Sequence, residues 1–84
     1  MVKILYFAWV RERIGKASED VTLPDDVATV KDLLEWQRGR GDGFAEAFAE
    51  GDLVRCAVNQ SHVALDYPVK DGDEIAFFPP VTGG

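Results

Sequence analysis

The chain has 84 residues, 46% of them hydrophobic, which is enough for one small domain with its own core and too apolar for a disordered chain. Acidic residues outnumber lysine and arginine by 15 to 9, and the net charge of −6 argues against binding nucleic acid or an anionic membrane surface. The single cysteine, Cys56, excludes an internal disulfide. The sequence opens at Met1 without a signal peptide and has no apolar stretch of membrane-spanning length, so we expect one cytoplasmic domain over residues 1–84.

The first predicted element is a strand over residues 2–10, which are apolar at nearly every position. Because side chains alternate along a strand, one face would carry Leu5, Phe7 and Trp9 and the other face the even-numbered residues. A strand that is apolar on both faces is usually central in its sheet. In so small a protein, one of the two faces either awaits a partner or is covered by loops.

A second strand is predicted at residues 18–23, after a charged connection at residues 11–17. The two strands would form a hairpin with a long loop. Thr29 is then a good helix N-cap, and Asp32 is placed for a capping box.

Apolar residues follow Thr29 at helical spacing as far as Gly39, which predicts a helix of about ten residues that covers the sheet. Trp36 lies off the apolar stripe, and we expect it to pack at the helix edge. The glycine-rich residues 39–43 predict a flexible break. A short second helix is expected at residues 44–48, ended by Gly51.

A third strand is predicted over residues 53–59, with Cys56 on its buried face as a small hydrophobe. The alternative for Cys56 is a persulfide-forming thiol, which would need exposure and a lowered pKa. Residues 62–65 predict a short edge strand. His62 has no second histidine or cysteine nearby in the sequence, so we expect no metal site there.

The last stretch combines a turn, a strand and a stiff exit. Asp71-Gly72 is a turn signal, and the aromatic residues 74–78 predict a strand in which Ile75 and Phe77 share one face. We consider the case in which this shared face joins the core. Alternation then places Phe78 on the same side as Phe7, at the base of the tail. Proline cannot pair in a sheet, so the strand should end before Pro79-Pro80, which favour an extended, semi-rigid exit.

Beyond the prolines, Val81-Thr82-Gly83-Gly84 carry no charged side chain, and four extended residues reach roughly 13 Å. The reactive group of this tail is the α-carboxylate of Gly84, which is ionised at neutral pH and is a poor electrophile until it is activated, most simply as an acyl-adenylate made with ATP. Two glycines without side chains would fit a narrow channel. The alternative is an ordinary frayed terminus.

Residues 2–8, 57–60 and above all 71–84 resemble the MoaD family, the sulfur-carrier small subunits of molybdopterin synthase. The resemblance implies an α+β fold of the ubiquitin-like β-grasp type, a mixed sheet of about five strands with helices on one face. It also implies that residues 79–84 form a protruding C-terminal tail.

The resemblance further implies a reaction cycle. An E1-like adenylating enzyme (MoeB type) would use ATP to activate Gly84, which then becomes a thiocarboxylate and so carries sulfur covalently. Gly83 would thread the channel of the large subunit (MoaE type), where the sulfur passes to cyclic pyranopterin monophosphate. The resemblance implies a heterotetramer with that subunit and no permanently bound cofactor or metal. The residues that it places on the partner face are Phe7, Arg11, Phe78, Pro79, Pro80, Val81 and Thr82. His62 stands at a position of that interface where related chains often have an aliphatic residue.

Three other functions remain open at this point. The chain could be a carrier for thiazole synthesis, with the same chemistry and another acceptor, although its Phe-Phe-Pro-Pro-Val-Thr-Gly-Gly ending favours the molybdopterin carriers. It could be a ubiquitin-like modifier whose terminal glycine is joined to lysines of target proteins. It could also be an interaction domain with an inert tail. The sequence contains no Ser-His-Asp or Cys-His arrangement for catalysis of its own, so any catalytic residues are expected on the large subunit.

Overall fold

The computed structural model describes residues 1–49 and 54–80. Within these ranges the strands are β1 (Val2–Tyr6), β2 (Ser18–Val21), β3 (Arg55–Val58), β4 (Ser61–His62) and β5 (Glu74–Phe78). The helices are α1 (Ala8–Ile14), α2 (Val30–Arg38) and α3 (Asp42–Ala47).

The strands form one mixed sheet in the order β2-β1-β5-β3-β4. β1 is antiparallel to β2 and parallel to β5, and β5 is antiparallel to β3. The N-terminal and C-terminal strands of the described chain therefore lie side by side in the middle of the sheet. A hairpin, a helix across one face and a last strand inserted beside the first define the β-grasp fold, so the expected fold is confirmed.

The core lies between one face of the sheet and the three helices. Alternating residues of β1 and β5 supply its centre, and Ile4, Ile75 and Phe77 are completely buried. The apolar stripe of α2 covers them, with Val30 and Leu33 also completely buried. The face of the sheet opposite the helices is therefore the one that remains available.

The predicted strand over residues 2–10 is wrong in its second half. Phe7 is still extended, but it is the N-cap of α1, which begins at Ala8. The helical turn returns Val10 to the core, where it is completely buried, and turns Trp9 to pack against the same cluster, with the Arg13 guanidinium 4.6 Å from its ring. Trp9 is therefore not on the outer face with Leu5 and Phe7. A continuous apolar run cannot by itself distinguish this helical turn from a longer strand.

The charged connection predicted at residues 11–17 is also largely helical. α1 continues to Ile14, and Gly15 ends it in the left-handed conformation at φ 91°, with its amide bonded to the Arg11 carbonyl. The expected hairpin of β1 and β2 is confirmed, although its loop contains this helix.

The helix predicted after Thr29 is confirmed with its capping box. The amide of Asp32 donates to the Thr29 hydroxyl, which completes the capping box. The Asp32 carboxylate accepts from the Ala28 and Thr29 amides, and these bonds hold the pKa of that carboxyl below its usual range. Gly39 caps the C-terminus with a negative φ of −85°. Trp36 is half-buried and packs against the core, as expected.

The predicted break at residues 39–43 is confirmed between α2 and α3, but it is shorter, because α3 already begins at Asp42. Its predicted flexibility does not extend to Arg40, which is hydrogen-bonded to Glu19 on β2. The described end of α3 is capped by Phe48, earlier than the predicted end at Gly51, which lies outside the described residues.

The C-terminal half follows the sequence more closely. The carbonyl of Lys70 accepts from the amide of Asp73 across a turn in which Gly72 has a φ of 90°, so the Asp-Gly turn is confirmed. β5 has the predicted bounds. β3 is confirmed at residues 55–58, and the predicted edge strand is only β4, because the chain leaves the sheet after His62.

Candidate docking face and tail base

The outer face of the sheet is built from the residues of β1 and β5 that point away from the core. The parallel register places Leu5 beside Ala76, and the Phe7 amide donates to the Phe77 carbonyl at 3.1 Å, so Phe7 follows as the neighbour of Phe78. The Phe7 side chain is 47% exposed, which is unusual for so large an apolar group. The sequence-based expectation that these two aromatics share one side is consistent with this register.

Arg11 lies one helical turn after Phe7. Its amide donates to the Phe7 carbonyl at 3.3 Å, and its side chain is exposed on α1. The structure therefore keeps Arg11 next to the exposed aromatic residue, where a cation at the rim of an apolar face can guide association more than it strengthens it.

His62 also lies on this face, in agreement with the interface position that the family resemblance implies for it. β4 pairs His62 with Ala57, and the His62 ring lies 5.1 Å from the Phe78 ring between centroids, tilted by 49°. Ala57 faces outward yet is only 7% exposed, because larger neighbours surround it. The available signal was the tight Asn59-Gln60 turn, which fixes the register of β4 on β3.

We call this surface the docking face and define it by the residues that share the outer side of the sheet: Leu5, Phe7, Ala57, His62, Ala76 and Phe78. The outer side of β3 also carries Arg55, which pairs with Phe78 on β5. The face thus combines an apolar centre with charged residues at its edge, Arg55 on β3 and Glu74 on β5.

The tail begins at the edge of the docking face. β5 ends at Phe78, and the half-buried Pro79 and Pro80 follow directly. The other predicted site residues, Val81, Thr82, Gly83 and Gly84, lie outside the described residues.

Metal ligation, a reactive cysteine and a membrane-spanning helix can each be checked against the described residues. In residues 1–49 and 54–80, no group of three or more His, Cys, Asp or Glu side chains is arranged to hold a metal ion. Burial raises the pKa of the Cys56 thiol to about 12, so the expectation that Cys56 is a buried hydrophobe is confirmed. No helix in those ranges has the length and apolar character needed to span a bilayer.

Comparison with known proteins identifies the family. The profile of the ThiS family matches residues 4–84. The chain belongs to this family. This ThiS-family chain is 46% identical over 84 residues to the molybdopterin synthase sulfur carrier subunit of Escherichia coli, with 100% of both chains covered. It is 35% identical over 91 residues to small archaeal modifier protein 3 of Haloferax volcanii, covering 99% of this chain and 98% of that protein.

Solved structures agree with this assignment. A putative molybdopterin converting factor subunit 1 from Pyrococcus furiosus superposes with a TM-score of 0.77 at 38% identity, covering 95% of this chain and 97% of that chain. The resemblance seen in the sequence is thereby confirmed at the level of family and fold.

Proposed function

We propose that this ThiS-family protein is the sulfur carrier subunit of a molybdopterin synthase. The observation that carries the proposal is the 46% identity to a protein of that name over the whole of both chains. The geometry supports it, because a central strand leads directly from an apolar docking face into a proline-stiffened tail.

The proposed chemistry is confined to the terminal carboxylate of Gly84. One of its oxygens attacks the α-phosphate of ATP on an E1-like adenylating enzyme, and pyrophosphate leaves. A sulfur donor then attacks the activated carbonyl and AMP leaves, so that sulfur replaces one oxygen. The thiocarboxylate sulfur then bonds to a carbon of cyclic pyranopterin monophosphate, and water cleaves the resulting thioester, which leaves the sulfur on the pterin and restores the carboxylate. Activation is necessary because a free carboxylate is a poor electrophile.

The proposed docking partner is the synthase large subunit, in a heterotetramer. Phe7, Phe78 and the two prolines would contact it, with Arg11 at the rim, while Val81, Thr82 and Gly83 would occupy the channel. Burying the 47%-exposed Phe7 ring contributes binding free energy at roughly 25 cal/mol per Å² of apolar surface. ATP is used by the activating enzyme, and the carrier itself holds only the covalent sulfur.

A protein-modifier function is the second candidate, because the chain is also 35% identical to a small archaeal modifier protein. Both functions start with activation of the terminal glycine. They differ in the acceptor, which is a pterin for the carrier and a lysine amine for the modifier.

The test is intact-mass spectrometry of the purified chain after incubation with the adenylating enzyme, ATP and a sulfur source. We expect one oxygen to be replaced by sulfur, and the product to convert the pterin precursor when the large subunit is added. The matched control lacks Gly83 and Gly84 and should gain no sulfur. Lysine-linked adducts without pterin conversion would favour the modifier, and an unchanged mass in the complete mixture would contradict both.

A further inference from the structure

We propose that His62 is a partner-contact residue whose charge controls docking: the neutral imidazole docks on the large subunit, and protonation weakens the complex. The inference rests on the proposed function, because it assumes that the large subunit covers the docking face.

The placement of His62 carries the inference. It is exposed on β4, and its ring meets the Phe78 ring at 5.1 Å. The ring contact extends the apolar surface from Phe7 and Phe78 to the edge of the sheet across the small residues Ala57 and Ala76. A partner that covers Phe78 must therefore also remove water from His62.

Charged residues lie near His62 on three neighbouring parts of the chain. On β3, Arg55 pairs with Phe78 and lies diagonally across from His62, two residues from its partner Ala57. On β5 the charged residue of the outer face is Glu74, two residues before Ala76 and so farther from Phe78. Asp66 is exposed on the connection that follows β4. The cation is therefore the nearer neighbour by register.

The sign of the effect follows from desolvation. Histidine is the side chain that ordinarily changes charge between about pH 5 and 8. Removing water disfavours its charged form, so the large subunit should prefer the neutral ring. The affinity for the large subunit should therefore be highest at higher pH and should decrease as the pH falls. If the large subunit binds the neutral form tenfold more tightly than the protonated form, binding weakens by up to about tenfold at low pH.

The chain contains one histidine, so His62 can be isolated by substitution. We would titrate the large subunit from the same organism with the wild type, His62→Leu and His62→Lys by calorimetry, at about pH 7.5 and about pH 5.5. The wild type should lose about fivefold in affinity at the lower pH, because the tenfold limit is reached only at still lower pH. His62→Leu should bind at least as well at both and lack this additional loss, while His62→Lys should bind weakly at both.

Comparing wild type with His62→Leu cancels the titrating groups of the partner. Tyr67→Lys, a new cation at another exposed aromatic, controls for net charge, and thermal unfolding checks each fold. The inference is overturned if wild type and His62→Leu share one pH dependence, or if His62→Lys binds like the wild type at the higher pH. Loss of all binding by every protein at both pH values would instead overturn the docking proposal, and this inference with it.

Discussion

The hydroxyl of Tyr6 donates a hydrogen bond to Glu19 at 2.5 Å and so joins the central strand to the edge strand beneath the helices. Two guanidinium nitrogens of Arg40 donate hydrogen bonds to the same carboxylate at 2.6 and 2.9 Å. Gln37 donates to the Tyr6 hydroxyl at 2.9 Å. The guanidinium also lies over the Phe44 ring at 4.1 Å. These contacts satisfy polar groups at the edge of the core and fix the segment between α2 and α3.

This network predicts a loss of stability in acid. The Arg40 hydrogen bonds are the main cause that lowers the pKa of Glu19 to about 2 from 4.5. A carboxyl with a depressed folded-state pKa contributes stability that is present above the unfolded value and is lost as the pH falls from about 4.5 towards about 2. Glu19→Gln should lower the free energy of unfolding at neutral pH by on the order of 2 kcal/mol.

The measurement is urea unfolding of the wild type and Glu19→Gln between neutral pH and about pH 3. Glu12→Gln, an exposed glutamate on α1, is the matched control and should change little. Equal acid dependence in wild type and Glu19→Gln would show that the network does not stabilise the fold in this way.

The close approach of α1 and α3 gives a second prediction. A Cβ at Gly43 would lie 2.6 Å from the backbone carbonyl oxygen of Arg13, which cannot move without shifting α1. Gly43→Ala should therefore lower stability by about 1–3 kcal/mol despite its better helix propensity. Gly39→Ala is the control, since its Cβ would make only an ordinary contact of 3.6 Å. Similar melting temperatures for the two variants would contradict the predicted clash.

The turn between β3 and β4 gives a third prediction. Asn59 and Gln60 both have positive φ, at 51° and 72°, as in the type I′ hairpin turn that favours glycine at its second position. Gln60→Gly should stabilise the fold by roughly 0.5–1 kcal/mol. Asn59→Ala should destabilise it, because the side-chain nitrogen of Asn59 donates to the Asp73 carboxylate and its side-chain oxygen accepts from the Glu74 backbone amide. Thermal unfolding that moves both variants in the same direction would be inconsistent with this account.

Several features could be predicted from the sequence because local chemistry determines them. The Thr29 capping box, the Asp71-Gly72 turn and the end of β5 before Pro79 each depend on residues within a few positions of one another. Alternation along β5 also showed that Ile75 and Phe77 share one face and Phe78 the other, and the charged Glu74 on the Phe78 side favours that side as the outer one.

Other features could not be predicted because they depend on distant contacts. β1 ends at Tyr6 because α1 carries Val10 into the core. The sequence itself has no polar cap residue or glycine at that point. Arg40 lies in a glycine-rich segment that looks flexible, and its order comes from Glu19, 21 positions away. His62 joins the docking face through pairing with Ala57, which the residue pattern alone does not indicate.

Docking gives the fourth prediction. Phe7→Asp should weaken binding to the large subunit by roughly tenfold to a hundredfold, because a charge replaces an exposed aromatic ring at the centre of the face. The fold should be preserved, since Phe7 is the N-cap of α1 and aspartate is a favoured residue there. Tyr67→Asp is the matched control. Tyr67 is 42% exposed and lies beside the first residue of α2, because its carbonyl accepts from the Val30 amide. Calorimetry that finds both variants equally impaired would remove Phe7 from the interface.

The last prediction concerns Cys56 and tests whether its thiol or the Gly84 carboxylate is the first acceptor of sulfur. Burial holds the thiol pKa near 12, so Cys56 should react with a maleimide only as fast as the fold opens, and rapidly in urea. Cys56→Val, which keeps an apolar side chain of similar size at this 7%-exposed position, should retain sulfur loading at Gly84. If this variant folds but gains no sulfur, the thiol rather than the carboxylate would be the first acceptor. Mass spectrometry after proteolysis would locate the sulfur on the peptide that contains Gly84 or on the one that contains Cys56.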